Sequence, residues 1–86
     1  MKVNFTKAFN KQFEKLQRKR QERAKAPVAL LLQDVAAQSL RYHSLKGEWV
    51  GFHSISAGGD LRLHFKMINR NTVLFVAVGS HSQLYK

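Results

Sequence analysis

Residues 60–67, DLRLHFKM, alternate between apolar and polar side chains, and this pattern constrains the fold more than any other stretch. Successive side chains of a strand point to opposite faces, so this segment predicts a strand that is apolar on one face and polar on the other. A turn at 68–71 and the apolar run TVLFVAVG at 72–79 follow, which predicts a hairpin whose second strand is central in its sheet. The polar face consists of Asp60, Arg62, His64 and Lys66.

The first third of the chain predicts a strand and two helices. VNF favours a strand at about 2–5, and Thr6 is placed to cap the helix after it. Pro27 leaves two interpretations of the second helix: a first-turn proline in a helix over about 27–34, or a kink in a longer helix begun near Lys19. The apolar positions that recur at helical spacing are Phe9, Phe13 and Leu16, then Val28, Leu31, Leu32 and Val35.

Residues 36–48 lose this periodicity and predict a connector, followed by a strand at 49–57 with Trp49 in the core and a turn at 57–59. The order β, α, α, β, β, β predicts a two-layer α+β fold, in which an antiparallel meander packs on a helical hairpin over 7–34. We expect one domain over 1–86. No helix remains for the other side of the sheet, here called the outer face, which is therefore expected to be uncovered.

The charge is strongly positive, since 15 Lys and Arg oppose 5 Asp and Glu, for a net charge of +10. Residues 1–26 hold nine of the basic residues against two Glu, a net charge of +7. Such an excess favours a polyanionic partner such as nucleic acid, although a solvated helix face has the same appearance.

Several classes of function are disfavoured by what the sequence lacks. It has no Cys, and its four His are widely spaced, so neither a disulfide framework nor a metal site is indicated. AGGD lies between predicted strands and not before a helix, so no phosphate loop or other cofactor site is indicated. No apolar stretch is long enough for a membrane span and no signal peptide is evident, so we expect a cytoplasmic protein without a membrane partner.

Metal-free acid–base chemistry on a phosphodiester remains feasible with the residue types present. Imidazoles can move protons near neutral pH, a guanidinium can bind two phosphate oxygens, and an aromatic ring can stack on a base. The candidates are His43, Asp60, Arg62, His81 and Tyr85. Each also has a plainer interpretation, as a surface histidine, a turn-closing aspartate, a surface cation or an apolar C-terminal plug.

Four stretches together resemble the YafQ-like branch of the RelE/ParE toxin superfamily, the toxins of bacterial type II toxin–antitoxin pairs. They are FTKAFNKQFEKL, SLRYHSLKGEWVGFHSI, GDLRLHFKM and VGSHSQLYK, which occur in family order over almost the whole chain. The resemblance implies the α+β fold and a ribosome-dependent mRNA interferase that works in the ribosomal A site by metal-free 2′-hydroxyl attack. It also implies contacts with mRNA and ribosomal RNA, a cognate antitoxin that inhibits the toxin, a monomeric free toxin and a higher-order complex.

The resemblance also carries residue assignments. His81 matches the catalytic His of the family's G-T/S-H and becomes the general acid, or the base if the roles are exchanged. Arg62 matches the Arg of D-x-R, which stabilises phosphate charge, and Tyr85 matches the terminal aromatic residue that positions the nucleotide. His43, in H-x-L-K-G, and Asp60, in D-L-R, are expected to assist proton transfer and orientation.

Lysines and arginines complete the expected RNA contacts, and two positions depart from the family pattern. Ser56 stands where many YafQ-like toxins carry another His, and Ala77 stands where many carry an Arg. Two alternatives follow: Arg62 binds the phosphate alone or with help from Lys46 or Lys66, or the activity is weak or altered. The residues expected to contact phosphates are Lys46 and Lys66 near the site and Lys11, Lys15, Arg18 and Lys19 on the first helices.

Two other functions stay open from the sequence. The ParE branch of the superfamily has the same fold but binds and inhibits DNA gyrase without cleaving RNA. The titratable side chains of the outer face favour the nuclease, because a gyrase inhibitor needs no His there. A plain RNA- or DNA-binding module is the third interpretation of the basic surface.

Overall fold

The computed structural model describes residues 1–34 and 37–85, apart from the side chain of Ser39. The predicted α+β fold is confirmed, with an N-terminal strand, two helices and then the rest of the sheet. The strands are β1 (Lys2–Phe5), β2 (His43–Ser44), β3 (His53–Ser56), β4 (Leu61–Asn69) and β5 (Thr72–Ser80). The helices are α1 (Lys7–Lys15), α2 (Arg18–Gln33) and α3 (His81–Leu84), with short 3-10 helices at Gln38–Leu40 and Gly47–Trp49. Within the described ranges, no helix is long and apolar enough to cross a membrane.

The described strands form one sheet in the order β1-β5-β4-β3-β2. β3, β4 and β5 form the predicted antiparallel meander, β2 also pairs antiparallel with β3, and β1 pairs in parallel with β5, so the sheet is mixed. The parallel pair is possible because α1 and α2 lie in the long connection between β1 and the rest of the sheet. β5 thereby has strands on both sides, as its apolar sequence predicted.

The N-terminal end of α1 forms as its sequence predicts. The Thr6 side-chain oxygen accepts a hydrogen bond from the backbone N–H of Phe9 at 3.0 Å, which satisfies one of the free donors of the first turn. Phe9 is buried, and its ring centroid lies 5.9 Å from that of Phe75 in β5. Phe13 and Leu16 pack at the margin of the same core. The aromatic face of α1 therefore joins the helical layer to the sheet.

The second helix is longer than its apolar repeat suggested. α2 begins at Arg18 and contains Pro27, so the start near residue 27 is wrong and the longer-helix interpretation is correct. Pro27 has no N–H to donate to the preceding turn, but its ring is buried with Ala24 and Leu31, and this burial offsets the lost hydrogen bond. Val35, expected on the same face, lies outside the described residues.

The region expected to be a connector and the start of a strand has more structure than predicted. β3 begins at His53 and not at 49, and Trp49 belongs to a short 3-10 helix. His43 and Ser44 form the edge strand β2, which is too short to show a period-two pattern. Trp49 is half-buried on the outer face, so its assignment to the core is wrong.

β4 has the predicted alternation, and β5 changes phase within its apolar run. The register steps from His64 opposite Ala77 to Phe65 opposite Phe75, so Val76 is an extra residue in β5. This step lets Phe75 face the helices while Ala77 lies on the outer face. A continuous apolar sequence gives no sign of such a change.

Candidate active site at the end of β5

α3 follows β5 directly because a capping box closes its first turn. The Ser80 side chain accepts the N–H of Gln83 at 3.2 Å, and the Gln83 side chain accepts the N–H of Ser80 at 2.8 Å. Gly79 is needed beside this box, because a Cβ there would lie 2.9 Å from the Gln83 amide oxygen. The sequence GSHSQ thus encodes the turn that presents the next side chains.

His81 and Tyr85 lie on this turn. The backbone N–H of His81 donates to the carbonyl oxygen of Asp60 at 2.9 Å, which ties α3 to the start of β4. The rings of His81 and Tyr85 are in contact in a tilted arrangement, with centroids 4.3 Å apart and planes 33° apart. His81 is exposed and Tyr85 is half-buried. The imidazole is therefore accessible to a substrate and held against an aromatic ring.

The strand register arranges the outer face in rows. One row runs across the sheet through His43, Ser54, His64 and Ala77. The next row holds Ser56, Arg62 and Gly79, which is two residues before His81. Facing residues on neighbouring strands have Cβ atoms about 4.5–5.5 Å apart. Arg62 therefore lies at the same end of β4 and β5 as α3.

His64 is completely buried, so the expectation of an uncovered outer face is wrong at its centre. The Trp49 ring lies edge-on to the imidazole, with centroids 4.4 Å apart, and Tyr85, the residue after α3, covers the imidazole as well. The Trp49 indole N–H donates to the carbonyl oxygen of Leu84 at 3.1 Å, which joins the two covering segments. The cover consists of a short 3-10 helix and a one-turn helix, neither of which has a recognisable apolar repeat.

Burial, and to a smaller extent the positive charges of His43 and His81, lowers the pKa of His64 to about 4. The imidazole is therefore neutral near pH 7. Its Nε2 atom lies 3.1 Å from the phenol oxygen of Tyr85. His64 was predicted on the outer face but was given no role there.

Arg62 and Asp60 are both engaged with their surroundings. One guanidinium nitrogen of Arg62 donates to the carbonyl oxygen of Gly59 at 2.8 Å, to that of Leu61 at 3.1 Å and to the Ser56 hydroxyl at 3.3 Å. The carboxylate of Asp60 is exposed and forms an ion pair with Arg20 of α2 at 3.2 Å. Asp60 thus positions His81 through its carbonyl oxygen, while its carboxylate faces the helical layer.

The basic residues of the first helices divide into two groups. Arg20 and Arg23 are used internally, since Arg23 donates to the carbonyl oxygen of Gly58 at 3.0 Å and Arg20 binds Asp60. No sequence pattern distinguishes these two arginines from their neighbours, because their contacts depend on Gly58 and Asp60 lying against α2 in the fold. The cations expected to contact RNA, Lys11, Lys15, Arg18 and Lys19, are all exposed.

Two further lysines and one histidine occupy different surroundings. Lys66 lies over the Phe52 ring, with its ammonium nitrogen 5.5 Å from the centroid, and Lys46 is exposed before the 3-10 helix of Trp49. His53 lies on the helix-facing side of β3, where Tyr42 stacks on it and the phenol oxygen lies 3.0 Å from Nδ1. In the ranges 1–34 and 37–85, no three His, Asp or Glu side chains come together as a metal site.

The structure thus gathers His81, Tyr85, His43 and Arg62 on one side of the sheet around the buried His64. Ser56 and Ala77, the two departures from the family pattern, lie in the same rows. Ser56 contacts Arg62, and Ala77 lies opposite His64. The small side chains of Ser54 and Ala77, on either side of His64 in its row, leave room for the imidazole of His64.

Solved structures of bacterial toxins have the same fold. YafQ from E. coli superimposes with a TM-score of 0.83 at 18% identity, covering 98% of this chain and 97% of that one. YafQ in the E. coli DinJ–YafQ toxin–antitoxin complex gives 0.80 at 19% identity, with coverage of 98% and 96%. A YoeB/ParE toxin from Agrobacterium tumefaciens gives 0.78 at 15% identity, with coverage of 94% and 99%.

The sequence comparison is more specific than the fold. No protein with a curated description matches the chain in sequence. The family described as "Bacterial toxin of type II toxin-antitoxin system, YafQ" matches residues 1–86, the full length given. Because the match covers the whole of the chain given, it shows that the chain belongs to the YafQ family of type II toxin–antitoxin toxins.

Proposed function

We propose that this toxin is an endoribonuclease that cuts mRNA in the ribosomal A site by attack of a ribose 2′-hydroxyl on the adjacent phosphate. The observation that carries the proposal is the exposed His81 imidazole, in contact with the Tyr85 ring at 4.3 Å and fixed by the backbone of Asp60 at the end of the strand that pairs with Arg62. This arrangement supplies an accessible proton-transfer group against an aromatic surface, with a cation on the same face of the sheet, and these are the parts that such a reaction needs.

The reaction forms a bond between the 2′-oxygen and phosphorus and breaks the bond from phosphorus to the 5′-oxygen. A base removes the 2′-hydroxyl proton, and an acid protonates the leaving 5′-oxygen. We assign the acid role to His81, with the base role as the alternative for the same residue, and His43 is the second imidazole available on this face. Arg62 stabilises the charge that develops on the phosphate oxygens. It does so with the guanidinium N–H groups other than those of the nitrogen that binds Ser56, Gly59 and Leu61.

The remaining residues orient the substrate. Tyr85 positions the nucleotide, and Asp60 holds the backbone of His81. Lys46 and Lys66 contact neighbouring phosphates, and the exposed cations of α1 and α2 bind ribosomal RNA. The α1 and α2 cations are Lys11, Lys15, Arg18 and Lys19.

The same chemistry suggests partners and a place of action. Ribosomes and mRNA place the toxin in the cytoplasm. An antitoxin with an acidic, extended segment would complement the net charge of +10 and cover the outer face, as folding on binding allows. We expect the free toxin to be a monomer and its complex to contain more than one copy of each protein.

Cleavage of a defined message in translating and non-translating extracts tests the proposal. We expect discrete cuts only during translation, and a loss of about 10²–10⁴-fold in cleavage rate for His81→Ala. His53→Asn is the matched control, because this imidazole lies on the helix-facing side of the sheet. Full cleavage by His81→Ala would remove that residue from the mechanism. Intact message together with a DNA-damage response in cells would instead favour gyrase inhibition.

A further inference from the structure

The proposed chemistry makes no use of His64, although this residue is the only imidazole in the described residues with no exposed surface. Its neighbours on the outer face are Ser54 of β3, Ala77 of β5, Trp49 of the 3-10 helix and Tyr85, which directly follows α3. Arg62 and Lys66 flank it on the same face of β4. A buried polar ring in such a place needs hydrogen-bond partners at both nitrogens.

Two buried polar atoms on this face have no hydrogen-bond partner in the part of the chain that the structure describes. They are the Nδ1 atom of His64 and the hydroxyl oxygen of Ser54. Ser54 and His64 are directly opposite in the β3–β4 register, with both side chains on the outer face. The two side chains are not hydrogen-bonded to each other in the structure, and a change of the Ser54 χ1 rotamer is the movement that brings its oxygen towards Nδ1 at the spacing of such a pair. Each atom is therefore the natural partner of the other.

The direction of this hydrogen bond determines which nitrogen of His64 carries the proton. A serine hydroxyl that donates to Nδ1 leaves the proton of the neutral ring on Nε2, because one nitrogen of such a ring donates and the other accepts. Nε2–H then donates to the phenol oxygen of Tyr85, 3.1 Å away. The phenol oxygen is thereby occupied as an acceptor, and its own proton is free to point outward.

We propose that Ser54 and His64 are positioning residues that orient the phenol of Tyr85 so that its O–H donates a hydrogen bond to the phosphate being cleaved. The target of this hydrogen bond rests on the proposed nuclease function. Tyr85 is half-buried and its ring lies 4.3 Å from the exposed His81 ring, so a phosphate on which His81 acts lies beside Tyr85 as well. Tyr85 then contributes to stabilising the reacting phosphate as well as to stacking.

The electrostatics of the site agree with this arrangement. An imidazolium would donate from both nitrogens and would reject the serine proton. Burial and the nearby positive charges of His43 and His81 hold the pKa of His64 near 4, so the neutral ring is maintained at the pH of translation. The arrangement of donors therefore does not change over the neutral range.

The imidazole nitrogen spectrum of the free toxin tests the hydrogen bonds of His64 with Ser54 and Tyr85 without any nuclease assay. We expect ¹⁵N NMR of His64 at pH 7 to show a protonated Nε2 and an unprotonated Nδ1 shifted by a hydrogen bond. Ser54→Ala should remove that shift and admit the other tautomer, whereas Ser44→Ala should not affect it. Ser44 is a suitable control because it faces His53 in the neighbouring register pair. A proton on Nδ1 in the unsubstituted toxin would overturn the inference.

Ribosome-dependent cleavage tests the hydrogen bond from the Tyr85 phenol to the phosphate. We expect Tyr85→Phe to lower the single-turnover cleavage rate about 10- to 100-fold with unchanged ribosome binding, because the ring and its stacking remain. Ser54→Ala should lower the rate by about 3- to 10-fold, and Ser44→Ala should not change it. A Tyr85→Phe toxin with full activity would overturn the role of the phenol. An unsubstituted toxin that cuts no message would overturn the proposed function and the phosphate contact. The imidazole spectrum tests the hydrogen bonds from Ser54 through His64 to Tyr85 independently of cleavage.

Discussion

The burial of His64 makes the stability of this toxin depend on pH in a predictable direction. The folded-state pKa is about 4 and the ordinary value is 6.5, so the unfolded chain binds a proton at this residue before the folded chain does. Acidification between these values therefore favours unfolding. The stability is fully present above pH 6.5, is lost progressively down to about pH 4, and falls no further from this cause at lower pH.

The size of the effect follows from the same shift. A difference of one pKa unit corresponds to about 1.4 kcal/mol, so lowering the pKa from 6.5 to about 4 corresponds to about 3 kcal/mol of stability. Small domains have a total of roughly 5–15 kcal/mol, so the loss is a large fraction. At the urea sensitivity of small domains, about 1–3 kcal/mol per M, it moves the unfolding midpoint by roughly 1–3 M.

Urea unfolding at a series of pH values, with His64→Gln as the reference, measures the contribution of His64 to the pH dependence of stability. The other histidines and the carboxylates titrate in both proteins, so their contributions largely cancel in the difference. We expect the stability of the unsubstituted toxin, relative to the variant, to fall by about 3 kcal/mol between pH 7 and pH 4. Parallel stability curves over this range would refute the reasoning, because they would mean that His64 titrates equally in both states.

Three further experiments test the cap of α1, the contact that holds α3 and the cations expected to bind RNA. Thr6→Ala removes the cap of α1 and should lower the free energy of unfolding by about 1 kcal/mol in urea titrations, and an unchanged midpoint would contradict the role of the cap. Trp49→Phe removes the hydrogen bond to the Leu84 carbonyl, so α3 amides should exchange with solvent faster by hydrogen-exchange NMR, and unaltered exchange would show that Trp49 does not hold α3. The double substitution Lys15→Ala and Arg18→Ala should reduce the slope of log binding constant against log salt concentration for RNA by about one to two. An unchanged slope would show that RNA does not contact these two residues.

Local sequence signals predicted the parts of the fold that local interactions determine. Thr6 caps α1 as expected, β1 has its predicted bounds, and β4 follows its alternation, because capping chemistry and a period of two act over a few residues. Pro27 was ambiguous because a proline is tolerated inside a helix only if burial offsets its missing donor, and burial depends on the rest of the fold.

The site was less predictable because contacts between distant segments form it. The outer face was expected to be open, but the indole of Trp49 and the α3 turn meet over His64 through one hydrogen bond. Neither segment has a periodic apolar pattern. Likewise, Arg20 resembled any other cation of a basic helix until the turn carrying Asp60 was seen to reach it.

The nature of the RNA ends left by the toxin tests the central claim most directly. Attack by a 2′-hydroxyl leaves a 2′,3′-cyclic phosphate on the upstream fragment and a free 5′-hydroxyl on the downstream fragment. End mapping of a message cleaved during translation should therefore find these two ends, and they should be absent with His81→Ala. A 3′-hydroxyl opposite a 5′-phosphate would show that water or hydroxide, and not the ribose, attacked the phosphate, and would contradict the mechanism built on His81.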